Sequence, residues 1–309
     1  MRGGAPVEGV KKTSQVLSAI ACELIDKDPD DRMEPFLSLA QRLGVSNGTV
    51  QNAVHQMQRD GALQLTSRGH LGSFIAALDR QKLLEYIGIS SVYWAMPIPY
   101  SKRYEGFASG LRVALDELGL NRSGTMFLSG AQCRVNALLE HRADGILMSS
   151  LALRHFQEAG VPIEMLHKFP DGSYVNNHFL ITRRNYDLLN AKTVRVGVDP
   201  MSYDQSAWNE ICFAGKNVIP IPVGYLHVLD HIRSGVIDAA VWSFEDQYFD
   251  NALSAVALHN RMMDENTAAV LAIRRDDPGM LRYLRRYMNF DRILQIQRAV
   301  MDGSLLPDY

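Results

Sequence analysis

Between positions 47 and 55 of this 309-residue chain fall five uncharged hydrogen-bonding side chains: Asn47, Thr49, Gln51, Asn52 and His55. Asn and Gln amides can bond adenine bidentately at a base edge, and the major groove of DNA is wide enough to admit the helix that carries them. A second set of candidates sits where short apolar runs give way to helical ones. Tyr100, Ser101 and Lys102 lie in "PIPYSKR", Ser149 and Ser150 in "MSSLA", Ser202, Tyr203 and Ser206 in "VDPMSYDQS", and Trp242 in "VWSFED". A serine at a helix start either caps the helix or helps its free amides hold a small carboxylate or phosphate. Both readings stand for each serine taken alone; the recurrence at equivalent strand ends favours a ligand. Arg134 opens a helical stretch after "SGAQC" and is either a surface arginine or the partner of an anion.

Other chemistries lack their signatures. The chain has no Gly-x-Ser-x-Gly elbow, no Gly-x-x-x-x-Gly-Lys phosphate loop and no zinc spacing. His227 and His231 have the i, i+4 spacing of a metal pair, but no glutamate stands in the metalloprotease position and no third ligand is visible. Glu245 and Asp246 in "SFED" are adjacent, so they point apart more readily than they pair as acid and base. No metal, no cofactor and no catalysis are expected. Cys22, Cys133 and Cys212 share no C-x-x-C spacing, which fits free thiols in a reducing compartment. The opening "MRGGAPVEGVKKTSQ" lacks the apolar stretch of a signal peptide, and no run approaches membrane-span length. A cytoplasmic protein, away from membranes, is the expectation. With 32 basic against 34 acidic residues, net charge gives no global pull toward nucleic acid.

The elements that must position the first set are legible. Ser46 is an N-cap, and Val50, Ala53, Val54 and Met57 follow i, i+3, i+4, i+7 spacing, predicting a helix from Ser46 to about Arg59. Its polar face is then opposite a buried stripe. Ala40, Gly44 and Val45 supply the small and turning positions of a helix-turn-helix. "SQVLSAIACELID" predicts an amphipathic helix upstream. "LQLTSRGHLGSFIA" predicts a hairpin whose tip carries Arg68 and His70 toward a phosphate backbone. Lys11, Lys12, Arg42 and Arg59 add charge on that side. The acidic run "DKDPDDRMEP" is expected to lie away from both the helix and the hairpin. Together "LAQRLGVSNGTVQNAVHQMQRDGAL" and "SRGHLGSFI" resemble the winged helix of the GntR superfamily of bacterial repressors, which implies operator DNA as a partner. Modest local charge favours a homodimer on a two-fold operator.

Beyond "AALDRQKLLE" the pattern changes to strand–helix alternation, which predicts an α/β domain of parallel sheets covered by helices. "RVNALLEHRADGILMSS" and "LHVLDHIRSGVIDAAVWS" repeat one scheme, matching Asp144 to Asp238 and Ser149 to Ser243. Two similar lobes joined by "NNHFLITRRN" and "NTAAVLAIRRD" resemble the type 2 periplasmic-binding-protein fold, whose chain crosses between lobes twice. The expected organisation is a winged helix-turn-helix over residues 1–77, a connector over 78–85 and a two-lobed domain over 86–309. Lobe one takes about 86–180 plus 270–309, and lobe two about 186–266. "MPIPYSKRYEGFASGLRVAL" in this setting is similar to the YhfZ family of bacterial transcriptional regulators. The resemblance implies a regulator; the winged helix adds operator DNA as its partner, and the serines at the strand ends add a small anionic effector between the lobes. The competing readings are a biosynthetic enzyme on the same fold and a LysR-like regulator, whose characteristic amino-terminal sequence is absent.

Overall fold

The computed structural model describes residues 8–120, 122–243, 251–260 and 266–309. The chain begins with α1 (Glu8–Leu24), α2 (Phe36–Leu43) and α3 (Asn47–Arg59). Gly44 ends α2 at φ +65°, a left-handed conformation that costs a residue with a Cβ about 1 kcal/mol or more, and this turns the chain toward α3. Ser46 caps α3 by accepting from Thr49 N at 3.1 Å. Val50, Ala53, Val54 and Met57 are fully buried, as their spacing requires. The hairpin follows as β1 (Leu63–Ser67) and β2 (Ser73–Leu78), antiparallel, with a 3-10 turn at its tip. α4 (Arg80–Ile87) is capped by Asp79 and buries Leu83 and Leu84.

Ten further strands build two five-stranded sheets among the described residues. The first contains β3 (Tyr93–Met96), β4 (Gly124–Phe127), β5 (Gly145–Ser149) and β6 (Ile163–Lys168), with α5 (Lys102–Glu117), α6 (Ala131–Leu139) and α7 (Ser150–Glu158) between them. The second contains β7 (Phe179–Arg183), β8 (Thr193–Val198), β9 (Asn217–Pro222), β10 (Ala239–Trp242) and β11 (Leu253–Ala257), with α8 (Tyr203–Cys212) and α9 (Val228–Ser234). β12 (Ala269–Arg274) returns to the first sheet, and α10 (Pro278–Tyr287) and α11 (Phe290–Met301) close the chain.

Strand order is β4-β3-β5-β12-β6 in the first sheet and β9-β8-β10-β7-β11 in the second. These are one topology used twice: second, first and third strands parallel, then the returning strand antiparallel, then the fourth. The repeat seen in the sequence is therefore structural, because β5 and β10 are both third strands. Asp144 N donates to Tyr93 O at 2.7 Å while its carboxylate accepts from Tyr93 N at 2.9 Å. Asp238 does the same with Arg195, at 2.8 and 3.0 Å. The two crossings bond to each other, Tyr174 N to Thr267 O and Leu258 N to His178 O, both at 2.8 Å. The expected crossover positions, 178–185 and 267–275, fall mainly on β7 and β12, the strands entered just after each crossing.

The chain divides into two compact units, one of residues through Ser91 plus Asp277–Met288, the other of Val92–Asp276 plus Asn289–Tyr309. Of the range 270–309 expected with the first lobe, Asp277–Met288 fall in the amino-terminal unit and the rest in the other. α10 joins the amino-terminal unit, where Arg282 donates to Cys22 O at 2.5 Å, Arg286 pairs with Asp28, and Tyr287 lies 4.5 Å beneath the Arg80 guanidinium. Gly279 is required there because a Cβ would stand 2.6 Å from Cys22 Sγ. In the second unit α11 packs on α5 so closely that a Cβ on Gly110 would lie 2.7 Å from Ile293 O.

Candidate functional site

In the amino-terminal unit the apolar stripe of α3 faces inward and the polar residues face out. Ser46, Asn47, Gln51, Asn52 and His55 are exposed, and Thr49 is half-buried, its hydroxyl 2.8 Å from that of Ser46. No side-chain hydrogen bond engages Asn47, Gln51, Asn52 or His55 among the described residues. Four unengaged side chains on one helix face are free to bond a base edge. Arg68 and His70 are exposed at the hairpin tip.

The acidic run does not lie away from the hairpin. Residues 30–33 pair alongside β2, with Asp30 N to Ile75 O at 2.8 Å and Met33 N to Ser73 O at 2.9 Å. Asp30 consequently forms an ion pair with Arg68, whose guanidinium also stacks 4.4 Å over Phe74. Arg42 is engaged likewise, with Glu34 at 2.6 Å and with Glu23. Arg59 has no ion pair among the described residues. The side chains of Lys11 and Lys12, and the Glu245–Asp246 pair, lie outside the described residues. Sequence adjacency misled here because a short antiparallel return puts residue 30 opposite residue 75.

In the second unit a cavity of about 60 Å³ lies between the two sheets' carboxyl-terminal strand ends. That is space for a handful of water molecules. Of the residues expected to hold a ligand, Tyr100, Arg134, Ser202 and Trp242 line it. Ser202 does so while capping α8, accepting from Gln205 N at 3.4 Å. The others are placed elsewhere. Ser101 caps α5 and borders a smaller recess beside Tyr104. Lys102 is exposed to solvent and does not line the cavity. Ser149 is wholly buried, caps α7 and donates to Asp204 at 2.8 Å. Ser150 spends its amide on Ala268 O at 2.9 Å. Tyr203 stacks on His155 with centroids 3.7 Å apart, and Ser206 donates to Ser202 O at 3.1 Å.

Residues that the sequence reading missed complete the wall. Asp199, Asp204, Gln205, Tyr174 and His178 all line the cavity. Asp199 accepts from Met201 N at 3.0 Å and from Ser129 Oγ at 3.3 Å. Burial pushes the Asp204 carboxyl up to about 6, against the Ser149 hydrogen bond and the field of Arg134. Burial also pushes the His178 imidazole down to about 4, and Asn266 holds it at 3.0 Å. Tyr174 is raised to about 12 by burial.

Arg134 is the unusual group. Only 2% exposed, it donates to Leu128 O at 2.8 Å and to Tyr174 Oη at 3.0 Å, while its buried Nε has no partner. Contacts between the lobes mirror each other around it: Ser149 reaches Asp204, and Ser243, its counterpart in the repeat, lies 3.1 Å from the Tyr100 hydroxyl. His227 and His231 have ring centroids 6.4 Å apart, and no group of three metal-capable side chains occurs among the described residues.

The fold and the two sites define a helix-turn-helix domain joined to a domain of periplasmic-binding-protein type. Residues 79–309 match the YhfZ C-terminal domain family and residues 30–75 a helix-turn-helix domain. The chain belongs to the YhfZ family. It is 29% identical over 307 residues to the uncharacterized protein YhfZ of Escherichia coli K12, covering 97% of this chain and 98% of that one. The crystal structure of YhfZ from Shigella flexneri aligns at TM-score 0.62 with 31% identity, over 74% of this chain and 97% of that one. A Salmonella typhimurium periplasmic binding protein of high arginine specificity aligns at TM-score 0.53 with 9% identity, over 67% of this chain and 97% of its own, a likeness of fold alone. No helix among the described residues is long and apolar enough to cross a membrane.

Proposed function

We propose that this protein is a cytoplasmic, ligand-responsive transcriptional regulator that reads operator DNA with α3 and takes a small metabolite into the cleft between its lobes. The observation that carries the reading is the exposed face of Asn47, Gln51, Asn52 and His55, free of any side-chain partner, on the second helix of a helix-turn-helix. Arg68 and His70 lie along the phosphate backbone in this account, in the manner of a GntR-type wing. Phosphate contact by Arg68 exchanges the exposed Asp30 pair for a stronger counter-charge, and surface pairs are worth only about 0–1 kcal/mol. The joining of a helix-turn-helix to a binding-protein fold supports a regulator over an enzyme.

Two such modules on a two-fold operator multiply a modest affinity through effective concentration, so the working form is a homodimer. Sedimentation that finds a monomer at micromolar concentration, bound one per operator, contradicts it. In the cleft, Arg134 meets an anionic group of the effector, with Tyr100, Ser202 and Trp242 around it. A ligand shifts DNA affinity only as far as it prefers one lobe arrangement. Three chain links join the units, at 91/92, 276/277 and 288/289. The effector signal passes through the connector at 76–85 and through α10, which follows β12 directly.

The test is fluorescence anisotropy on DNA from upstream of the protein's own coding region. Gln51→Ala and Asn52→Ala each cost ~1–3 kcal/mol of specific binding. Arg68→Ala weakens all sequences alike and flattens the salt dependence. Variants at 51 and 52 that bind like wild type show that this face is not the reader.

A further inference from the structure

The cleft that Proposed function assigns to an anionic effector holds charges of both signs, and they are not paired with each other. Arg134 comes from the first lobe and Asp204 from the second, on α8. Each is more than nine-tenths buried and each lines the same cavity. Neither makes an ion pair among the described residues. The Arg134 side chain has satisfied only two of its five N–H donors, both with neutral oxygens, and its Nε is buried without a partner. Asp204 accepts a single hydrogen bond, on Oδ1 from Ser149. Its other oxygen has no donor among the described residues.

A buried guanidinium and a buried carboxyl left apart are costly, because each has lost water without gaining its counter-ion. A direct ion pair would offset part of that cost; the structure instead leaves both groups unpaired on the wall of one cavity. The planar guanidinium fork matches a carboxylate or phosphonate oxygen pair. The free Asp204 oxygen matches an ammonium. Trp242 and Tyr100, with ring centroids 6.2 Å apart, add aromatic wall to the same cavity. The volume of the cavity suits a short molecule.

We infer that the cleft ligand is a small zwitterion, a short amino acid or amino-phosphonate, whose acid end lies on Arg134 of the first lobe and whose ammonium lies on Asp204 of the second. Such a ligand is held by one lobe at each end, so it prefers the arrangement in which the lobes approach. The inference rests on the proposed effector site and adds its chemical class.

Thermal melting of the full-length protein tests it, with each probe at 1 mM. The probes are the twenty protein amino acids, β-alanine, 4-aminobutanoate and 2-aminoethylphosphonate, each beside its desamino acid and, where it exists, the amine lacking the acid group. At least one zwitterion raises the Tm by several degrees, and neither of its single-charge counterparts does. In calorimetry Asp204→Asn, which keeps a hydrogen-bond acceptor for Ser149, weakens that zwitterion at least tenfold and leaves its desamino acid unchanged. Far-ultraviolet dichroism confirms that the variant is folded. The inference is overturned if a desamino acid stabilises as well as its parent, if Asp204→Asn leaves the zwitterion affinity intact, or if no probe shifts the melt. Operator binding by the ligand-free protein is measured alongside: if it stands while the panel fails, the zwitterion is wrong and the regulator survives; if DNA binding itself fails, the regulator reading falls.

Discussion

The two lobes share a strand order and a conserved geometry at Asp144 and Asp238, yet they fill equivalent positions differently. In the first lobe the residue after the aspartate is Gly145, paired beside Trp94; in the second it is Ala239, paired beside Val196. One lobe uses a large and an absent side chain where the other uses two of middling size, and each fills its space. The carboxylates differ too. Asp144 has the Arg274 guanidinium at 3.7 Å, whereas Asp238 takes Arg195 at 2.6 Å and Arg183 at 3.3 Å. The same backbone scheme thus tolerates different packing, provided total volume and hydrogen-bonding are kept.

Exchanging the packing solutions gives the largest expected effect. A Cβ at position 145 would stand 2.6 Å from Trp94 Cε3, so Gly145→Ala costs about 3 kcal/mol by overpacking a rigid ring. Trp94→Val costs ~3–5 kcal/mol through the cavity it leaves. The double variant recreates the second lobe's arrangement and costs less than the sum by at least about 1 kcal/mol, read by urea denaturation. Additive losses would show that the lobes are not equivalent at this pair.

The aspartates come next. Asp238→Asn destabilises by about 2 kcal/mol and Asp144→Asn by about 1, since the first holds two partly exposed arginines closely and the second holds one at longer range. The Asp238 arginines hold its carboxyl below the ordinary value of 3.8, against the opposing effect of burial. Its stabilisation is therefore present above pH 3.8 and is lost as the pH falls below that toward its lowered pKa. Asp238→Asn should flatten this part of the acid denaturation curve.

Asp204 has the opposite sign. With its carboxyl raised from 3.8 to about 6, the fold favours the protonated form, a contribution complete below 3.8 and lost as pH rises through about 6. Ligand-free Asp204→Asn is accordingly more stable than wild type at pH 7.5, by on the order of 2 kcal/mol, with the difference vanishing near pH 4. Equal melts at pH 7.5 would mean that water already solvates this carboxylate. The smallest effect belongs to the hairpin. Asp30→Asn frees Arg68 and strengthens DNA binding by less than about 1 kcal/mol, most visibly at low salt.

The start of α3, the hairpin and the twofold repeat were legible because local signals set them: a capping serine, a period, a recurring Asp and Ser. The cleft was half legible. Strand ends announced Tyr100, Arg134, Ser202 and Trp242, but Asp204 sits in the first turn of α8, where an acid reads as a companion of the helix dipole. Its hydrogen-bond partner Ser149 lies 55 residues away. Asp30 was expected away from the hairpin for a related reason, as strand pairing rather than sequence distance places it on Arg68. The membership of α10 was not legible at all: an amphipathic helix declares that it has a partner without declaring which.

The most direct test of the account couples its two ends. Anisotropy titrations of upstream DNA are run with and without the zwitterion that raises the Tm most, and calorimetry measures that zwitterion with and without DNA. The account predicts that operator affinity shifts about 5–150-fold and that ligand affinity shifts by the same factor, as linkage requires. DNA-binding curves that superimpose, with ligand affinity indifferent to DNA, would contradict it.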